Sequence, residues 1–123
     1  MTQARLSTGK QGEDLAVQYL RKKGYRIVER NFRCPFGEMD IVARQGNVLV
    51  FVEVRSRRSE GWFGEPVESV GSIKQRKLSR IALAYLQKRN LLDCKARFDV
   101  VGVKIKPDGH AIEIVQDAFD FIG

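Results

Sequence analysis

The chain has 123 residues, 43% hydrophobic and 30% charged, which suits one globular domain burying about two-thirds of its unfolded surface. That composition excludes a disordered chain, and no apolar run approaches the ~20 residues needed to span a bilayer. Lys and Arg number 22 against 15 Asp and Glu, a formal charge of +7 and a pI near 9.7; the balance favours a polyanion such as nucleic acid as partner, although a basic surface also serves solubility alone.

The N-terminus, Met-Thr-Gln-Ala-Arg-Leu-Ser-Thr, has no apolar signal core, so a cytoplasmic protein is expected. Residues 8 to 23 read as a helix: Thr8-Gly-Lys-Gln11 matches a capping box, Gly24 is the stop, and Leu15, Ala16, Tyr19 and Leu20 form the apolar stripe. Glu13 falls at the edge of that stripe, where it either borders a site or complements the helix dipole. Tyr25 to Asn31 alternates as a strand with one wet side, and Cys34-Pro35-Phe36-Gly37 follows as a turn. Cys34 and Cys94 lack a CxxC spacing or a neighbouring histidine, so reduced thiols are expected.

Residues 38 to 55 read as two strands joined at Gly46-Asn47, a dipeptide that tolerates the positive φ of a two-residue hairpin connection. With Gln45 opposite Val48, the register sets Val42 against Phe51, Asp40 against Glu53 and Glu38 against Arg55. Two facing carboxylates cost a sheet ~0.2–1 kcal/mol unless compensated. A divalent cation such as Mg²⁺, which takes hard oxygen ligands, compensates them and makes a site. Neutralisation by Arg44 or Arg55 in an ordinary surface ladder is the alternative. The second strand is apolar on both faces until Glu53 and Arg55, which predicts a central strand whose charged end opens a cleft.

Residues 56 to 71 carry three glycines and a proline without a period and read as a long loop. In it, Trp62 and Phe63 accompany Arg57 and Arg58 beside Arg55, stacking groups next to phosphate-binding charge; pinning the loop to the core would use the same rings. Ser72-Ile-Lys-Gln75 is a second capping box opening a helix to about Asn90, with Lys74, Arg76, Lys77 and Arg80 around an apolar stripe. Such a run is either a solvated face or a nucleic-acid contact. Arg97 to Lys104 and Ala111 to Val115 read as two further strands around a Pro107-Asp108-Gly109 turn. His110 is the only histidine, so histidine-based catalysis has little support. The expected architecture is a single α/β domain in the order α-β-β-β-α-β-β. A right-handed crossover makes the central strand parallel to the Arg97 strand in a mixed sheet flanked by helices.

Gly12-Glu13-Asp-Leu-Ala16, Gly24-Tyr25, Arg30-Asn31, Gly37-Glu38-Met-Asp40, Phe51-Val-Glu53-Val-Arg55-Ser-Arg57, Lys74 and Arg97-Phe98-Asp99-Val100-Val101 stand in this order along the chain. In these motifs the sequence resembles the YraN-like family of bacterial predicted endonucleases, similar to the archaeal Holliday-junction resolvases of the PD-(D/E)XK nuclease superfamily. The resemblance implies a restriction-endonuclease-like fold, with Asp40 as the signature's metal-binding aspartate, Glu53 as the acid of its E-x-K element and Glu13 as the first-helix glutamate. It also implies Mg²⁺ or Mn²⁺ as cofactor and DNA, including branched DNA, as substrate, and it leaves room for a homodimer. Arg55 stands where that signature has lysine. The expected function is metal-dependent endonuclease activity, with Asp40, Glu53, Arg55 and Glu13 catalytic and Arg57, Arg58, Lys74, Arg76 and Trp62 binding nucleic acid. The alternatives are a weakly active or inactive nucleic-acid-binding module on the same fold, and an RNA- or ribosome-binding protein. Convergent carboxylates speak against the last, since they repel a phosphate backbone unless a cation intervenes.

Overall fold

The computed structural model describes residues 3–58 and 70–122. Helix α1 (Gln3–Lys22) leads into the meander β1 (Arg26–Cys34), β2 (Gly37–Gln45) and β3 (Val48–Arg58). Helix α2 (Ser72–Lys88) then returns the chain to β4 (Lys95–Lys106), and β5 (Gly109–Val115) closes the sheet. The five strands lie in the order β1-β2-β3-β4-β5, antiparallel except for the parallel β3–β4 pair. This is the expected mixed sheet with the expected order of elements, and β3 is its middle strand. Among the described residues no helix is long and apolar enough to cross a membrane.

Each face of the sheet buries one helix. Ala16, Val17 and Leu20 of α1 pack with Ile41, Ala43, Val50, Val52, Val101 and Val103; Leu78, Ile81, Ala82 and Tyr85 of α2 pack with Val42, Leu49, Phe51 and Phe98 on the other side. Burial of alternate residues on both sides explains why β3 reads as a nearly continuous apolar run. The hairpin register is as expected from Gln45 opposite Val48 to Ile41 opposite Val52. Only Gly46 takes the left-handed conformation there, at φ 61°.

Three local readings are corrected. Helix α1 begins at Gln3, so Thr8 lies inside it and not at its N-terminus; the good helix formers upstream carry the helix past the local signal. Helix α2 is capped by Gly71 without a side-chain bond. Instead of forming a box with Ser72, Gln75 turns its amide to the Val70 carbonyl at 2.8 Å. Strand β3 continues through Ser56, Arg57 and Arg58, read above as loop, because β4 supplies a parallel partner as far as Arg58 opposite Ile105. The rest of that loop, with Trp62 and Phe63, lies outside the described residues.

A buried polar cluster ties the sheet to the tail of the chain. Asp99, fully buried, accepts bonds from Tyr25 Oη at 2.7 Å, from Arg97 Nε at 2.9 Å and from the Asp117 amide at 2.9 Å. Every member has a partner, the condition under which buried polar groups specify a structure. Burial, more than any bond in the cluster, raises the Tyr25 hydroxyl above the ordinary phenolic range.

Candidate metal site and nucleic-acid groove

Strands β2 and β3 part company beyond Ile41 and Val52, while β3 runs on beside β4 for another six residues. At the fork, the Asp40 carboxylate accepts the Val54 amide at 2.8 Å, taking the place a ladder carbonyl would have held. The neighbouring strand shows why. Phe32 and Met39, a cross-strand pair, face α2, whereas Ile41 faces α1 and its partner Arg30 reaches Glu13 on α1. Both strands therefore change face between these pairs, at Asn31 and Asp40. Asn31 makes the change by adopting φ 55°, which asparagine tolerates better than most residues.

The Asp40 carboxyl is pushed up to about 7, first by burial and then by the charge of Glu53, against the opposing pull of the Val54 amide. Glu53 is nearly buried on β3, and Lys74 of α2 approaches its Oε2 at 3.4 Å. Lys74 thus sets an ammonium against Glu53, beside the Asp40 carboxyl. A proton or a metal ion between the two carboxylates would offset their mutual repulsion. Glu13 adds to the field at Asp40, yet its own oxygens are engaged: Arg30 Nη2 donates to Oε1 at 3.0 Å and Asn31 Nδ2 to Oε2 at 3.1 Å. Asn31 also reaches Glu38 Oε1 at 3.0 Å, and Arg33 holds Glu38 Oε2 at 2.9 Å. Glu38 is therefore paired to β1, which corrects its expected place opposite Arg55.

Among the described residues no three Asp, Glu, His or Cys side chains close into a ready metal cage. The donor set still fits Mg²⁺ or Mn²⁺, which are held by one or two carboxylates and complete their shell with water and substrate phosphate. Asp40 and Glu53 are the two direct candidates, with Glu13 set behind them by Arg30 and Asn31.

The acidic pair borders a groove of ≈ 380 Å³ lined by Glu53, Val54, Arg55, Ser56, Arg57 and Lys74. The groove brings together Glu53, Arg55, Arg57 and Lys74 of the residues singled out from sequence. Arg58 is exposed at the end of β3, Arg76 lines hollows on the outer side of α2 instead, and Trp62 is outside the described residues. Arg55 stands in a cross-strand row with Gly102 and Glu113, so only a glycine separates the guanidinium and carboxylate positions on that face.

Gly12 and Asn31 stand in the motifs of the resemblance, but sequence reasoning gave them no structural role, and it did not name Glu113. A Cβ on Gly12 would lie 1.8 Å from Ser56 Oγ, so only glycine lets α1 press against β3 and bring Glu13 to the fork. Its one sequence signal is a glycine inside an otherwise good helix. Asn31 and Glu113 become visible only through pairing between strands.

Fold and site together define a small α/β domain that holds an acidic pair at the rim of a cationic groove. Its sequence takes the assignment further: the chain belongs to Uncharacterised protein family UPF0102, whose model matches residues 12–103. It is 54% identical over 120 residues to a UPF0102 protein of Syntrophus aciditrophicus, spanning 98% of this chain and 93% of that one. A UPF0102 protein of Geobacter sulfurreducens is 51% identical over 113 residues, 91% of this chain and 88% of the other. Among solved structures, Pyrococcus furiosus SfsA in complex with Ca²⁺ is similar at 12% identity and a TM-score of 0.37, over 92% of this chain and 62% of that one. That likeness is too slight to carry an argument.

Proposed function

We propose that the protein is a metal-dependent DNA endonuclease of the PD-(D/E)XK type. One observation carries the reading: at the β2–β3 fork two carboxylates stand side by side at the edge of a groove lined by Arg55, Arg57 and Lys74. Carboxylates alone repel a phosphodiester, and cations alone do not explain a buried acidic pair; together they suit a phosphate held beside a divalent cation. Bound by Asp40 and Glu53, Mg²⁺ or Mn²⁺ would act as a Lewis acid on the phosphodiester and ease deprotonation of an attacking water. Lys74 and Arg57 hold the phosphate chain, and Arg55 faces the charge that develops on the scissile group. Arg55 acts as a cation only, because guanidinium stays protonated and cannot serve as a base.

Metal titration read by the thermal midpoint tests the site, since a ligand of the native state alone raises it. Mn²⁺ should raise the midpoint of the wild type and leave that of Asp40→Asn/Glu53→Gln unmoved, while the metal-free variant is as stable as wild type or slightly more so. A clear loss of metal-free stability would make the pair a structural ion cluster and end the metal reading.

Arg55 in the lysine position favours a second reading, a nucleic-acid-binding module with little or no turnover. Cleavage of branched DNA with Mn²⁺ separates the two. The nuclease reading expects slow cleavage, kept or increased by Arg55→Lys, lowered about a hundredfold or more by Arg55→Ala, and lost in Glu53→Ala. Wild type and Arg55→Lys both matching the Glu53→Ala blank on junction, flap and single-stranded DNA would leave the binding module.

A further inference from the structure

The groove accounts for one side of α2; the other side carries a patch that cleavage of a phosphodiester does not need. Ile73 is 88% exposed in the first turn of the helix, beside the groove's Lys74. Phe36, 48% exposed, caps the β1–β2 turn next to it. Together with Arg76, Lys77 and Arg80 these two line a hollow of ≈ 230 Å³, with the Arg80 guanidinium 5.9 Å from the centre of the Phe36 ring. Phe36 is held in place: a Cβ on Gly37 would come within 2.8 Å of Lys77 Cε and 3.1 Å of Ile81 Cδ1, so the turn lies directly on the helix. Arg76, Lys77 and Arg80 form no ion pair with any described residue.

We propose that Phe36, Ile73 and the cations between them form a seat for unpaired DNA bases, so that the substrate is a duplex opened at a branch or flap. This inference rests on the nuclease reading and specifies its substrate class. A continuous duplex shows a protein phosphate and sugar on its outside, which three cations suit and two projecting apolar side chains do not. Unpaired bases offer π faces that stack on aromatic and apolar side chains, while their phosphates take the neighbouring positive charge. The scale agrees: at 1.5 Å per residue, Lys74 to Arg80 covers ~9 Å, roughly the reach of two to three steps of one strand at 3.4 Å each. A strand leaving the groove at Lys74 would meet Ile73 and Phe36 next, apolar side chains of the kind that unstack base steps in minor-groove architectural proteins.

The experiment compares binding rather than cleavage. The full chain carrying Asp40→Asn/Glu53→Gln, which cannot cut on the nuclease reading, is titrated by fluorescence anisotropy with a duplex and with the same duplex bearing a single-stranded flap. Phe36→Ala/Ile73→Ala on that background should weaken flap binding about tenfold or more, the equivalent of one lost base stack, and change duplex binding less than about twofold. A 2-aminopurine in the flap beside the branch should be quenched by the parent and not by the variant. Both side chains are exposed, and an unchanged thermal midpoint verifies that the variant is folded. Equal weakening of both DNAs, or of neither, overturns the proposal. So does a change in sedimentation from dimer to monomer, which would make the patch a contact between copies. Loss of cleavage in every assay above, with flap discrimination intact, would remove the nuclease reading and leave the base seat standing.

Discussion

At Asp40 a carboxyl is kept protonated to near neutrality, because burial and the Glu53 charge outweigh the one amide that favours its ionised form. The direction of the pH effect follows. In the unfolded chain the group titrates near 3.8, in the folded one near 7. Folding therefore binds a proton between these values, and the Asp40 contribution to stability is complete below about pH 4 and lost as the pH rises through about 7. Each unit of difference is worth about 1.4 kcal/mol, an upper figure for a group with some access to solvent. In metal-free buffer the difference in stability between Asp40→Asn and wild type should grow from pH 5 to about pH 8 in favour of the variant. Unfolding in denaturant across that range measures it; parallel curves would mean that Asp40 is not under strain. Mn²⁺ should restore the wild type most at the high end, where proton and metal no longer compete.

At the scale of elements, Gly12 and Ser56 set how closely α1 lies on β3, and through that spacing where Glu13 stands. Gly12→Ala forces a Cβ into Ser56 and should cost about 1–3 kcal/mol, typical of overpacking. Ser56→Gly should recover much of the loss, and thermal midpoints of the two single variants and the double variant give the coupling. Additive losses would place the strain elsewhere. The same scale shows what could be read beforehand. Gly46-Asn47 announced the hairpin, and its register carried Val42 to Phe51 and Ile41 to Val52 correctly, because a two-residue turn and a two-sided apolar strand leave little choice. The arithmetic then ran past the fork. Glu38 could not be placed, since the departure of β2 depends on Asn31 in the next strand and on a carboxylate capturing the Val54 amide. Both capping boxes misled for the converse reason: a four-residue signal does not register the helix formers before Thr8 or the extended Gly71 before Ser72.

For the molecule as a whole, the net charge is +7, and Arg55, Arg57 and Lys74 of that basic set meet at one groove between the end of β3 and the start of α2. Binding to duplex DNA should therefore weaken steeply with salt. Each phosphate contact contributes about −0.9 to the slope of log K against log salt, so Arg57→Ala/Arg58→Ala should flatten the slope by roughly one to two units. An unchanged slope would move the binding surface away from the β3 end. The architecture was readable at this scale because alternating apolar runs and one crossover helix constrain topology strongly. The groove was only half readable: Arg55 follows from the strand, whereas Arg57 joins it only through the parallel pairing with β4 and Lys74 meets Glu53 through packing of α2, neither of which a local pattern encodes.

The parallel pairing of β3 with β4 also bears on how the chain acquires its shape. Val48 meets Lys95 only after the whole segment between them has been closed into a loop, whereas β1, β2 and β3 find one another through short turns. The meander can thus form early, with the valine-rich edge of β3 open until α2 and β4 dock. During that interval the edge is a template for any other extended strand. The strand that carries Glu53 and Arg55 is consequently the one most exposed to misassembly while the protein folds, and β4, which sets Val100 opposite Glu53, is what shields it.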